Sequence, residues 1–259
     1  MRLALSVLLV LPVFAQTAPP NASGVSMGHL HILTPNPEAH RKLWIDVLGG
    51  TPAKLGPVEL AKFPGVFVGY RKADTSGGGT EGSVVDHLGF LTRDLAATKA
   101  KLVAAGVQIV KEMPDTHQFF AMFPDNVKVE FSEDKTIAEP IRHHHVHFAS
   151  NQVAEMRAWY AKMFSAVPGV RGRFQAADLP GVNLSWNPAN APTIATKGRA
   201  MDHIGFEVRD IKDFCKKLED AGVKMDMPPT DRPDLGATIA FLTDPWGTRI
   251  ELTQGLSKL

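Results

Sequence analysis

Alternating apolar and polar positions, interrupted by short amphipathic stretches, run through most of the chain. In Gly28-His29-Leu30-His31-Ile32 the alternation predicts a strand with both histidines on one face and Leu30 and Ile32 on the other. Asn36 is placed to cap a helix whose first turn holds Pro37. Ala39, Leu43, Trp44, Val47 and Leu48 then form one apolar stripe, and Gly49-Gly50 ends it. Short strands with Gly/Pro turns follow through Val66 to Tyr70. His87 opens a further strand, Asp94 caps a second helix, Gly106 stops it, and strands continue to Phe131. The order strand-helix-strand-strand-strand occurs four times, which predicts an α+β fold. Gly77-Gly78-Gly79, between two such units, reads as a flexible tip. It lacks the Lys-Ser/Thr and following helix of a phosphate loop.

The chain also repeats itself. Gly28-His29-Leu30-His31-Ile32 aligns with His144-His145-Val146-His147-Phe148 at an offset of 116. The same offset carries Asp86-His87-Leu88-Gly89-Phe90 onto Asp202-His203-Ile204-Gly205-Phe206, and Ala105-Gly106-Val107 onto Ala221-Gly222-Val223. After a slip of five in a loop, Phe120 falls on Phe241 and Val129-Glu130 on Ile250-Glu251. So long a match predicts two copies of one domain, at 26–135 and 141–255, joined by a linker at 136–140.

The first residues break this pattern. Arg2 precedes an almost wholly apolar run, Leu3 to Phe14, and Val13-Phe14-Ala15 offers a signal-peptidase site. The run is shorter than the ~20 residues that span a bilayer. Residues 1–15 read as a secretory signal, 16–25 as a leader, and the location as periplasmic or secreted, with no membrane attachment after cleavage. Cys215 is the only cysteine, which excludes an intrachain disulfide and a cysteine metal site. A net charge of +1 without a Lys/Arg run gives no basis for nucleic acid as a partner. A small-molecule substrate is expected instead, with the chain a monomer or homodimer.

Polar residues that recur at matched places carry the chemistry. His29, His87 and Glu130 stand in copy one where His145, His203 and Glu251 stand in copy two. Each histidine opens a strand, and each glutamate lies in the last strand of its copy. Helices on the apolar face leave the histidines on the opposite, concave face. Two imidazoles and a carboxylate on one side of a divalent ion suit Fe(II), Mn(II) or Zn(II) and leave room for a bidentate oxygen ligand. The expected triads are His29-His87-Glu130 and His145-His203-Glu251, with Glu130 or Glu251 also handling a proton. His31 and His147 share the ligand face, as supporting partners, proton shuttles or plain polar lining. His143 and His144 read as a solvated strand entrance, and Trp186 as a cavity-lining residue.

"GHLHILTPNPEAHRKLWIDVLGG", "VDHLGFLTRDL", "MDHIGFEVRDI" and "DPWGTRIELTQ" resemble the motifs of the vicinal-oxygen-chelate superfamily, which includes glyoxalases, fosfomycin-resistance enzymes, extradiol dioxygenases, epimerases and bleomycin-binding proteins. The resemblance implies tandem domains, each of two βαβββ modules curled into a mixed-sheet cup. It also implies that His29, His87 and Glu130, and again His145, His203 and Glu251, match the family's metal ligands. Departures narrow the reaction. No carboxylate stands in Val66–Tyr70 or Val182–Trp186, where glyoxalase I has a fourth ligand. Phe120 and Phe241 stand where extradiol dioxygenases have tyrosine. Bleomycin-binding proteins lack the ligand set that is present in this chain. The reading is an exported metal-dependent enzyme, a lyase, isomerase or dioxygenase acting on a small oxygen-chelating substrate. A non-catalytic protein that sequesters a small molecule is the alternative.

Overall fold

The computed structural model describes residues 17–74 and 76–259; the expected signal segment, 1–15, and its expected cleavage point lie outside them. Four modules follow one another. The first comprises β1 (Val25–Thr34), α1 (Pro37–Arg41), β2 (Thr51–Leu55), β3 (Val58–Phe63) and β4 (Val66–Lys72). The second comprises β5 (Val85–Thr92), α2 (Leu95–Ala104), β6 (Gln108–Met113), β7 (Gln118–Phe123) and β8 (Val127–Glu133). The third comprises β9 (Ile141–Ser150), α3 (Val153–Phe164), β10 (Val167–Arg171), β11 (Phe174–Leu179) and β12 (Val182–Pro188). The fourth comprises β13 (Met201–Val208), α4 (Ile211–Asp220), β14 (Met225–Arg232), β15 (Ala237–Thr243) and β16 (Arg249–Gln254).

Local chemistry sets the helix boundaries. The side chain of Asn36 accepts from the Ala39 amide at 3.2 Å, and those of Asp94 and Asp210 cap α2 and α4 in the same way. Beyond α1 the helix continues as a wider, π-wound stretch, Lys42–Val47. Gly106 and Gly222 stop α2 and α4 with positive φ, which costs glycine nothing.

The modules combine into two eight-stranded mixed sheets, neither closed, and they combine crosswise. The first sheet runs β14-β15-β16-β13-β1-β4-β3-β2 and the second β10-β11-β12-β9-β5-β8-β7-β6. Module one therefore shares a sheet with module four, and module two with module three. The sequence grouped the modules by copy; the chain instead builds each sheet from both copies. At the seams β1 lies antiparallel to β13, and β5 to β9.

Leu30 and Ile32 turn into the core as their alternation requires. The core is continuous and includes Leu30 and Phe206 from the first sheet and Phe90 and Phe148 from the second. Aromatic side chains of the helices join the two. Trp44 packs on Phe63 of the first sheet and on Phe90 and Phe123 of the second. Trp186 lies in this layer at 1% exposure, stacked on Phe148, because its strand position faces the helices; it does not line a cavity. The Gly77–Gly79 segment is not a loose tip. The Arg199 guanidinium donates to the carbonyls of Gly77 and Gly79, and the Gly77 amide donates to the Gly198 carbonyl at 2.7 Å.

Candidate functional site

Crosswise pairing changes which ligands meet. On the first sheet, His29 comes from β1, His203 from β13 and Glu251 from β16. Nε2 of His29 lies 3.2 Å from Nε2 of His203 and 3.4 Å from Oε2 of Glu251. Nε2 of His203 lies 2.9 Å from the same oxygen. On the second sheet the group is His87, Glu130 and His145, with separations of 2.9 Å, 3.5 Å and 3.3 Å. The six residues expected from the sequence thus form two triads, but not His29-His87-Glu130 and His145-His203-Glu251. Each triad takes one histidine from one copy and the other two residues from the other copy.

Glycine makes the room. Gly205 pairs with His29 and Gly89 with His145 across the two seams. A Cβ at Gly205 would sit 2.1 Å from the His29 ring, and one at Gly89 1.9 Å from the His145 ring. Only a residue without a side chain lets the imidazole lie flat over the partner strand and reach the other two ligands.

Carboxylates hold two of the rings. His203 donates Nδ1–H to Asp202 at 2.6 Å, and His87 donates Nδ1–H to Asp86 at 2.6 Å. That hydrogen bond turns the Nε2 lone pair toward the triad, the tautomer a metal ligand needs. Asp202 is in turn held by Arg249 at 2.6 Å and Asp86 by Lys128 at 3.0 Å. Burial opposes the charge on Asp86, but His87 and Lys128 outweigh it and bring its pKa down to about 2. The sequence comparison left these aspartates unassigned, although the Asp-His pair recurs in both copies.

The glutamates are anionic for the same kind of reason. Burial disfavours a charged Glu251, yet His29 and His203 hold its pKa well below the ordinary carboxylate range. Glu130 behaves likewise against His145 and His87. Its remaining oxygen accepts from Gln118 at 3.0 Å and Ser132 at 2.9 Å, as that of Glu251 does from Thr253 at 3.0 Å.

Surrounding histidines differ in their roles. His31 stacks on His203 and His147 on His87, each with ring centroids 4.5 Å apart. His143 is buried, contrary to a solvated entrance, with its Nδ1 3.3 Å from the Gly181 carbonyl. His144 sits at a register shift of the β5–β9 seam, its Nδ1 3.0 Å from Nδ1 of His145.

The donor sets fit a first-row divalent ion. Ligands held at ~2.0–2.2 Å from one ion in tetrahedral or octahedral geometry lie about 3 Å or slightly more apart, as these do. Over the first triad lies a cavity of about 410 Å³, bounded by Leu55, Leu60, Phe241 and Leu256, with Arg71 and Arg232 also lining it. That size suits a small molecule. Leu256 belongs to the turn Leu256–Lys258, whose amides, with that of Gly255, include three that donate to the buried Glu207 carboxylate.

Residues 142–252 match the model of the Glyoxalase/Bleomycin resistance protein/Dioxygenase superfamily. Glyoxalase I from Zea mays shares the fold at a TM-score of 0.70 and 16% identity, over 90% of this chain and 94% of that one. A protein from Bacillus subtilis, assigned provisionally as a dioxygenase, superposes at 0.68 and 13% identity over 93% and 86%. No curated protein sequence matches. At these identities the structural likeness speaks for the fold, which extends over both copies.

Proposed function

We propose that this chain, a member of the glyoxalase/dioxygenase superfamily by its motifs and its fold, is a metal-dependent enzyme acting on a small substrate with two neighbouring oxygens. The convergence of two histidines and one glutamate within 3.5 Å of one another, twice in one chain, carries the reading. His29, His203 and Glu251 would hold one Fe(II), Mn(II) or Zn(II) ion, and His87, His145 and Glu130 another. The ion would supply Lewis acidity toward a chelated enolate, alkoxide or catecholate.

The chain's own residues do the rest. Asp202 and Asp86 orient His203 and His87. Glu251, anionic and at the cavity floor, is placed to take a proton from a carbon or oxygen next to the chelate. Leu55, Leu60 and Phe241 exclude water from one side of the first cavity. Arg2, the apolar run and Ala15 support export to the periplasm or medium, with the mature chain beginning near Gln16.

Metal analysis of the purified protein tests the reading. Two equivalents of a first-row metal per chain are expected, one lost on His203→Ala and the other on His87→Ala. A protein that takes up no such metal would leave a small-molecule binding role as the better account.

A further inference from the structure

The two triads are alike, but their surroundings are not. Leu55 in the first cup corresponds, at the repeat offset of 116, to Arg171 in the second. Arg171 ends β10 and reaches over the second triad. Its Nε donates to Ser185 Oγ at 2.8 Å, its Nη2 to His147 Nδ1 at 3.1 Å, and its Nη1 lies 3.9 Å from Glu130 Oε1. A guanidinium has donors only. The Nδ1 atom of His147 must therefore accept, and the proton of a neutral ring must sit on Nε2.

His147 is 2% exposed, and its Nε2 has no hydrogen-bond partner among the described residues. A buried N–H without an acceptor is costly. A ring nitrogen of His147 lies within 4.8 Å of ligand nitrogens of both His87 and His145. With Nδ1 accepting from Arg171 and Nε2 protonated, neither ring nitrogen offers a lone pair to an ion.

We propose that Arg171 fixes His147 as an Nε2–H donor and so makes the second cup a subsite for a carboxylate-bearing chelator. The carboxylate would accept from His147 and face the Arg171 charge. The first cup lacks that arginine and has an apolar wall at the same place. The ligand half of this inference rests on metal binding by the second triad; the tautomer half does not.

Two measurements separate them. In the ¹⁵N-labelled, metal-free protein at neutral pH, long-range proton–nitrogen correlation should show the His147 ring, assigned by its loss in His147→Gln, as the Nε2–H tautomer. Arg171→Leu should release it to a mixture. An Nδ1–H ring or an imidazolium in the parent protein overturns the proposal, whatever metal does. In the second measurement, a His203→Ala background keeps only the second triad. Oxalate and catechol are titrated into its zinc-loaded form. Arg171→Leu and His147→Phe should each weaken oxalate about tenfold or more, the size of a lost charge-assisted hydrogen bond. Catechol affinity should hold, and His147→Gln, which restores an N–H, should recover part of the loss. Equal effects on both probes overturn the carboxylate subsite. Failure to load zinc with the tautomer intact refutes the metal reading and the subsite while leaving the dyad standing.

Discussion

At the scale of single residues, absence of a side chain matters as much as its presence. Gly205→Ala would drive a methyl group into the His29 ring, so the first cup should lose its metal while the second keeps one. Elemental analysis paired with circular dichroism checks this, and unchanged stoichiometry would refute the placement. Asp202→Asn keeps the shape but removes the charge behind His203, and affinity at that site should fall about 10- to 100-fold in a chelator competition.

Buried neutral histidines make the metal-free protein acid-sensitive. Burial lowers the His143 pKa to about 3, against 6.5 in the unfolded chain. Between those values the unfolded state binds the extra proton, so stability falls with falling pH, by at most ~1.4 kcal/mol per pH unit for one such group. The urea midpoint should drop from pH 7 to pH 5, and His143→Leu should flatten that slope. A slope that does not change would show that His143 is not the proton acceptor.

A buried pair shows how the copies diverged. Tyr160 donates to Asp244 at 2.9 Å, whereas the equivalent positions in copy one are Trp44 and Phe123, with ring centroids 4.8 Å apart. The equivalent positions thus carry a buried hydrogen bond in one copy and an aromatic contact in the other.

Among the elements, the turn Leu256–Lys258 closes one side of the first cavity, and the Glu207 carboxylate holds it by three amides. Glu207→Gln weakens three charge-assisted bonds at once. Amide exchange at Gly255, Leu256 and Ser257 should speed up while both metals stay bound; protection equal to the parent's would mean that packing of Leu256 alone holds the turn. The helices and strands themselves were legible in the sequence, because caps such as Asn36 and Asp94 and alternations such as His29–Ile32 act locally. The six positions that converge were legible too, through their recurrence. The partner of each triad was not. β5 and β13 carry the same Asp-His-x-Gly-Phe motif, so β1 finds an equally suitable edge on either, and equal spacing in both copies fits both pairings. Arg171 escaped notice for the opposite reason: it has no counterpart at position 55, and recurrence was the signal followed.

For the whole molecule, paired deletions distinguish the two arrangements. His29→Ala with His203→Ala should leave one metal per chain, and His29→Ala with His87→Ala none. Grouping by copy demands the reverse. One feature of the sheets also governs how the chain acquires its structure. His29 and His203 are 174 positions apart, yet their strands are neighbours. When synthesis has delivered β1, its antiparallel neighbour still lies most of a chain length ahead. Until then β1 presents an unsatisfied edge, and the nascent first copy has only a half-built cup to offer it. Such non-local pairing makes folding slow. It also orders the steps, since the second cup can close in the middle of the chain before the first can close around it. A ribosome-released fragment ending before β13 should therefore be a sticky, protease-sensitive species and not a stable half-protein.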